Sequence, residues 1–212
     1  MKYKGVLFDL DGVILPSDKL HYLAWKKVCF HEHIFLYDLM FEETLGISKK
    51  EALKKILEHA KITLDERNQK RLITEKDFYY EQYLKNIDEN FVSVKVIKVL
   101  NKLQNAGVKM AIASSSRHAE ELLEKTKMQK YFSVVVSGKD IKEPKPDPEV
   151  FLIASEKINL PKKDLLVVED SLVGIESGLN GGFDTCLFSQ KANPMAKYSI
   201  SSFDELLEII GI

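Results

Sequence analysis

The sequence is poor in cysteine, carries no excess of either charge and has only short apolar runs. Its two cysteines, Cys29 and Cys186, lie far apart without a CxxC pair, so we expect buried thiols in a reducing cytoplasm. The formal net charge of −1 gives no indication of a nucleic-acid or membrane surface. Runs such as 165–168 are far shorter than the roughly 18 residues that cross a bilayer, and the N-terminus does not resemble a signal peptide. These absences favour a cytoplasmic protein that binds neither nucleic acid nor a membrane, and we expect a monomer, although the sequence itself does not give the oligomeric state.

Much of the chain alternates between short β-branched runs and helical patterns. The length of 212 residues is enough for one full-sized core and a smaller attached domain. Alternation of this kind is typical of an α/β fold, and we predict a doubly wound parallel sheet with crossover helices. The predicted strands are 4–8, 109–113, 133–136, 164–168 and 183–188, and the predicted helices are 117–127, 148–158, 172–179 and 203–210.

Residues 17–90 break this rhythm, since they contain no convincing strand and at least three helical stretches. Ser48 and Glu51 fit a capping box, and an apolar stripe follows them at helical spacing. We therefore predict a small α-helical cap inserted after the first strand. The predicted core domain is 1–16 with 91–212, and the predicted cap domain is 17–90.

The end of the first predicted strand carries two carboxylates, Asp9 and Asp11, followed by Gly12. Ligands of open parallel sheets gather at such strand ends. A carboxylate there can attack phosphorus, and a second one nearby can act as general acid and base. Taken alone, Asp-Leu-Asp-Gly fits a simple turn equally well.

Three later strand ends carry complementary groups, each with a plainer alternative. Ser114–Ser116 offers hydroxyls and free N–H groups for an anion, or simple helix capping. Lys145 lies between two prolines and could neutralise a phosphoryl group, or be a solvated loop lysine. Glu169 and Asp170 follow a buried strand and could bind Mg²⁺ together with Asp9, or act as a cap with a neighbouring acid. Four such ends in one order form a stronger signal than any one of them.

Taken together, these motifs resemble the haloacid dehalogenase superfamily of phosphotransferases over essentially the whole chain. The resemblance implies that Asp9 is the nucleophile and Asp11 the general acid and base. It implies that Ser114 and Lys145 hold the phosphoryl group. It also implies Mg²⁺ as the cofactor, bound by Asp9, the backbone carbonyl of Asp11, Glu169 and Asp170.

Within that superfamily, the cap sequence resembles that of the β-phosphoglucomutases. The matching stretches begin at Ser17 and Leu45. The resemblance implies a small phosphorylated sugar as substrate and glucose 1,6-bisphosphate as the phosphoryl intermediate. For Trp25 a place in the cap core is favoured over a sugar-stacking platform, and for His21 a structural role is as probable as a catalytic one. The candidate substrate-binding residues are Ser17, His21, Trp25, Lys49, Lys76, Ser115, Ser116, Arg117 and His118.

A physical argument adds weight to Lys49, which lies in the first turn of its predicted helix. The helix dipole disfavours cations there, and a bound anion would relieve that conflict. The sequence also departs from the mutase pattern, in which arginine is usual at Lys49, an amide at His118 and an acid at Pro16. The second hinge, near 90–94, lacks the expected Pro-Gly. The prediction is a phosphomutase, with a phosphatase on small sugar phosphates as the rival and a non-enzymatic binding module as a third possibility.

Overall fold

The chain divides into two compact units. The computed structural model describes residues 1–212, apart from the side chain of Glu42. One unit combines Met1–Pro16 with Asp88–Ile212, and the other is Ser17–Ile87. The helical unit thus ends at Ile87, three residues before the end at residue 90 that the sequence suggested.

The unit Ser17–Ile87 is helical, and its described residues contain no strand. The capping box is confirmed, because Ser48 N donates to Glu51 Oε2 at 3.2 Å and Glu51 N donates to Ser48 Oγ at 3.3 Å. The apolar stripe of that helix packs into the unit's own core, which also contains the buried Trp25. The helices are α1 Asp18–His31, α2 Asp38–Glu42, α3 Lys49–Ala60 and α4 Glu66–Leu84.

The larger unit is built on a six-stranded sheet in which every neighbouring pair is parallel. The strands are β1 Gly5–Phe8, β2 Lys109–Ala113, β3 Val134–Val136, β4 Leu165–Glu169, β5 Asp184–Phe188 and β6 Tyr198–Ile200. Their order is β3-β2-β1-β4-β5-β6, which confirms the doubly wound sheet and adds one strand, β6, to the five predicted. Phe8 at the end of β1 lies opposite Ile112 and Val168, so the residues that follow these three strands share one edge of the sheet.

Helices cover both faces of this sheet. On one face Leu7 packs in a cluster with Phe151, and on the other Phe8 lies with its ring centroid 5.9 Å from that of Phe203. Burial on both sides explains why the strands read as near-continuous apolar runs. Among the described residues, no helix is both long and apolar enough to cross a membrane. The helices are α5 Val94–Asn105, α6 Ala119–Lys125, α7 Glu149–Ile158, α8 Leu172–Asn180 and α9 Glu205–Ile210.

Candidate active site

A buried lysine joins the ends of the three central strands. Lys145 Nζ donates to Asp9 Oδ1 at 2.5 Å, to Glu169 Oε1 at 2.7 Å and to the carbonyl oxygen of Ala113 at 3.1 Å. All three charged groups are at most 7% exposed. The solvated-loop alternative for Lys145 is therefore wrong, because the ammonium lies inside the protein between two carboxylates.

Burial dominates the electrostatics of this cluster. It raises the pKa of Asp9 to about 8, with the negative charges of Glu169 and Asp11 adding to the rise and the Lys145 ammonium opposing it. Burial also works against a charged Lys145, but Asp9 and Glu169 outweigh it and hold its pKa above the usual range. Lys145 therefore stays positively charged. Asp9 therefore binds a proton more tightly than an ordinary aspartate when no other cation is present.

Glu169 is held on both of its oxygens. Besides the bond to Lys145, its Oε2 accepts from the Ser171 N–H at 3.0 Å and from Ser171 Oγ at 2.9 Å. Ser171 in turn caps α8 by accepting from Gly174 N at 3.1 Å. A Cβ at Gly174 would lie 1.9 Å from Glu169, so only glycine leaves room for this carboxylate. The sequence reading missed Ser171, although a serine before a helical pattern is a capping signal.

Asp170, which directly follows β4, lies against Gly12 in the loop after β1. Gly12 has φ of +82°, and its N–H donates to the carbonyl oxygen of Leu15 at 2.7 Å, which closes a tight turn. A Cβ on Gly12 would lie 1.9 Å from Asp170 Oδ2. The Asp170 carboxylate therefore packs against the turn that contains Asp11 and Gly12. The motif therefore forms a turn, and its functional role stays a prediction.

The oxygens at this edge of the sheet are suited to Mg²⁺. Among the described residues, no three or more His, Cys, Asp or Glu side chains converge as a ready-made metal site. Mg²⁺ does not require such a cage, since it is usually bound by one or two carboxylates, water and substrate phosphate oxygens. Asp9, the Asp11 loop and Asp170 offer oxygen donors only, which fits this preference. Glu169 is engaged by Lys145 and Ser171, so its part as a direct ligand stays a prediction.

Ser114 lies buried at the end of β2, where its N–H donates to the carbonyl oxygen of Val136 at 3.0 Å. Its hydroxyl oxygen accepts from Ser116 N at 3.0 Å, and the hydroxyl oxygen of Ser116 accepts from His118 N at 3.3 Å. These two hydrogen bonds form short turns before α6, which begins at Ala119. His118, the residue before α6, makes no side-chain capping bond to the helix. Ser115 and Arg117 are exposed beside them, and His118 lies 3.2 Å from Glu121.

The helical unit places several of the remaining candidates together. Lys76 is only 4% exposed, with Nζ 2.9 Å from His21 Nδ1 and 4.6 Å from the ring centroid of Tyr80. The His21 ring stacks on Tyr80 at 4.2 Å between centroids. Lys49 forms an ion pair with Asp77, a residue that the sequence reading did not single out.

Two other candidates in this unit are buried. Trp25 is 3% exposed among the apolar residues of the helical core, as its apolar setting suggested. Ser17, which directly precedes α1, is fully buried. A substrate contact for either residue stays a prediction.

Comparisons with known proteins identify the relatives of this chain. Residues 6–188 match the family model described as haloacid dehalogenase-like hydrolase. The chain is 31% identical over 183 residues to a β-phosphoglucomutase of Bacillus subtilis (84% of this chain, 80% of the relative). It is 29% identical over 184 residues to a phosphorylated carbohydrates phosphatase of Thermotoga maritima (85% and 82%).

The fold comparison gives the same result. A crystal structure of β-phosphoglucomutase from Clostridium difficile superimposes with a TM-score of 0.83 at 26% identity, covering 97% of this chain and 96% of that one. The family model spans most of the sequence, from β1 to the end of β5. The chain therefore belongs to the haloacid dehalogenase-like hydrolase family of enzymes.

Proposed function

We propose that this enzyme transfers a phosphoryl group through Asp9 and interconverts β-D-glucose 1-phosphate and glucose 6-phosphate. Membership of the family supports the broader activity, that of a phosphatase or phosphomutase. The observation that carries the role of Asp9 is its hydrogen bond to the buried Lys145 at the sheet edge. A carboxylate in that position can attack phosphorus, because the neighbouring ammonium offsets the negative charge that the two reactants bring together.

In this proposal Lys145 acts as a fixed countercharge. Its three hydrogen bonds hold the ammonium at the level of Asp9, so it needs no rearrangement when charge develops on the phosphoryl oxygens. Ser114 and the N–H groups of its loop would contribute further hydrogen bonds to those oxygens. When bound by Asp9, the Asp11 carbonyl and Asp170, Mg²⁺ would supply additional positive charge to the phosphoryl group.

The proposed mutase cycle conserves the phosphoryl group on the enzyme. Asp11 accepts the proton of the sugar 6-hydroxyl as that oxygen attacks phospho-Asp9, which forms glucose 1,6-bisphosphate and releases the Asp9 carboxylate. The bisphosphate then presents its other end. Asp9 attacks the phosphorus at C1, and Asp11 returns the proton to the departing oxygen, which leaves glucose 6-phosphate and phospho-Asp9.

Residues outside this centre are proposed to bind the sugar and its second phosphate. Lys49, Ser116, Arg117 and His118 would contact that phosphate. Ser17, His21, Trp25, Lys76 and Ser115 are proposed as the remaining substrate contacts. A cytoplasmic, monomeric enzyme that binds neither nucleic acid nor a membrane is the corresponding proposal for its setting.

A phosphatase is the second candidate, favoured by the relative from Thermotoga maritima at nearly the same identity as the mutase relative. In this alternative the same phospho-Asp9 forms, and water rather than a sugar hydroxyl attacks it. Asp11 would then deprotonate the water. The two candidates share every residue of the centre and differ in the acceptor.

One assay separates the two. The enzyme is given β-D-glucose 1-phosphate, Mg²⁺ and a trace of glucose 1,6-bisphosphate, and glucose 6-phosphate and free phosphate are measured together. We expect glucose 6-phosphate with little phosphate, and phosphate without the isomer would reject the mutase. Asp9→Asn is expected to abolish both products. Near-full activity of that variant would show that Asp9 is not the nucleophile.

A further inference from the structure

The helical unit contains an anion-binding position that one of its own carboxylates occupies. Asp77 on α4 directs Oδ2 to the ammonium of Lys49 on α3, and its Oδ1 lies 3.7 Å from Nζ of Lys76. Two lysines from different helices thus converge on one carboxylate. Two lysines placed in this way could bind the oxygens of a phosphate group. Here the Asp77 carboxylate occupies that position.

The two lysines differ in how freely they can exchange partners. The Lys76 side chain is 5% exposed and lies against both His21 and Tyr80, so its position is set by packing. The Lys49 and Asp77 side chains are 52% and 38% exposed. An ion pair this exposed is weak and can open by side-chain rotation. A ligand anion could therefore replace Asp77 on Lys49 while Asp77 remains nearby.

The charge of Asp77 then determines which ligand groups bind well at this position. The formal net charge of Lys49, Lys76 and Asp77 together is +1, and without Asp77 it would be +2. A phosphate dianion at this position meets both the competition of Asp77 for Lys49 and its direct repulsion. A neutral hydroxyl group meets neither.

We propose that Asp77 is a specificity-determining residue that weakens the binding of a second phosphate group and so disfavours bisphosphates relative to monophosphates. This inference rests on the proposed function in one respect, namely that residues of the helical unit bind the second anionic group of the substrate. It adds a residue outside the matched motifs.

The test measures binding in the Asp9→Asn enzyme with Mg²⁺, so that turnover does not interfere. Glucose 1,6-bisphosphate and p-nitrophenyl phosphate are titrated by calorimetry into this protein and into the same protein with Asp77→Asn. We expect Asp77→Asn to bind the bisphosphate about three- to tenfold more tightly, the size expected for removing one charge near an exposed ion pair. The affinity for p-nitrophenyl phosphate, which has no second phosphate, is expected to change less than about twofold.

Glu75→Gln is the matched control, because Glu75 is also an acid of α4 in ion pairs, with His31 and Arg71. It makes the same change in net charge and is expected to leave both affinities unchanged. Asp77→Ser repeats the test without an amide. Equal behaviour of the Asp77 and Glu75 variants, equal tightening for both ligands, or no bisphosphate binding by any variant would overturn the inference.

These outcomes are distinguishable from failure of the proposed function. If the Asp9-containing enzyme turned over no phosphate ester but Asp77→Asn still tightened bisphosphate binding, the proposed activity would fail and the role of Asp77 would stand. If the enzyme were an active mutase and the Asp77 variants matched Glu75→Gln, the reverse would hold.

Discussion

At the scale of single residues, the centre contains one buried cation and two buried carboxylates that bond to it. Of the side chains that the structure describes, Lys145 is the one cation that contacts both Asp9 and Glu169, and Glu169 accepts two further hydrogen bonds from Ser171. Burial, with the nearby negative charges of Glu169 and Asp11, raises the pKa of Asp9 to about 8 despite the Lys145 ammonium. In the absence of metal, the raised pKa favours the protonated form of Asp9. Binding of a further cation beside Asp9 favours loss of that proton, which leaves the carboxylate able to attack.

This arrangement makes the stability of the metal-free enzyme depend on pH. Because the pKa of Asp9 is raised from 3.8 to about 8 on folding, the folded state binds the proton more tightly than the unfolded state. The stabilisation of the folded state by the proton on Asp9 is fully present below pH 3.8 and is lost as the pH rises through about 8. In EDTA we therefore expect Asp9→Asn to melt higher than the parent at pH 8.5, with a smaller difference at pH 5. Each 1 kcal/mol corresponds to about 2–4 °C in a chain of this size.

The matched control is Asp164→Asn, which removes a carboxylate of the same unit that bonds to Lys4 at 2.7 Å on the surface. Its melting temperature is expected to follow that of the parent across the whole range. Melting curves of the parent and Asp9→Asn that stayed parallel from pH 5 to 8.5 would contradict the proton assignment.

At the scale of elements, the turn after β1 is where backbone conformation and the proposed metal site depend on one another. Gly12 and Gly107 have nearly the same φ, +82° and +76°, but a Cβ on Gly107 would meet nothing within 4 Å. We expect Gly107→Ala to cost about 1 kcal/mol from backbone strain alone. Gly12→Ala should cost more and weaken Mg²⁺ binding, because its Cβ must displace Asp170.

Thermal melting and a Mg²⁺ titration of activity on the two variants check this. The informative result is the comparison between them, since both carry the same substitution at similar backbone angles. An unchanged Mg²⁺ requirement in Gly12→Ala would show that Asp170 can move without loss, and so would argue against its role at the metal.

Most of the larger unit could be predicted from sequence, because buried parallel strands and their polar ends leave a strong pattern. The five predicted strands agree with β1–β5 to within one residue at either end. Strand β6, Tyr198–Ile200, was missed since three residues flanked by Lys197 and Ser201 carry too short an apolar run. Such an edge strand is specified by its neighbour β5 rather than by its own sequence.

The contacts inside the site depend on tertiary packing and were less predictable. Nothing in the local sequence of Lys145 distinguishes a buried ammonium from a solvated one. The bond between Lys145 and Asp9 joins residues 136 positions apart, so it follows only once the strand order is known. Asp77 was missed for the same reason, because its partner Lys49 is on another helix.

At the scale of the whole molecule, the chain crosses between two units that each have their own apolar core. In Ser17–Ile87 that core includes Ile56 and Leu53, and in the larger unit the sheet buries Ile112. A unit with its own core can open locally without requiring the other to unfold. The substrate contacts proposed in Ser17–Ile87, such as Lys49 and Lys76, then differ in local stability from the residues that carry the phosphoryl group.

Weakening one core at a time tests this independence. Ile56 and Ile112 are both fully buried, and truncating either to alanine is expected to cost about 2–5 kcal/mol. Ile56→Ala should accelerate amide hydrogen exchange across residues 17–87 while β1 and β4 stay protected. Ile112→Ala should accelerate exchange in the strands and leave α3 and α4 nearly unchanged. Exchange that rose everywhere for both variants would show that the two units unfold together, because a shared opening reaction exposes every amide at the same free energy.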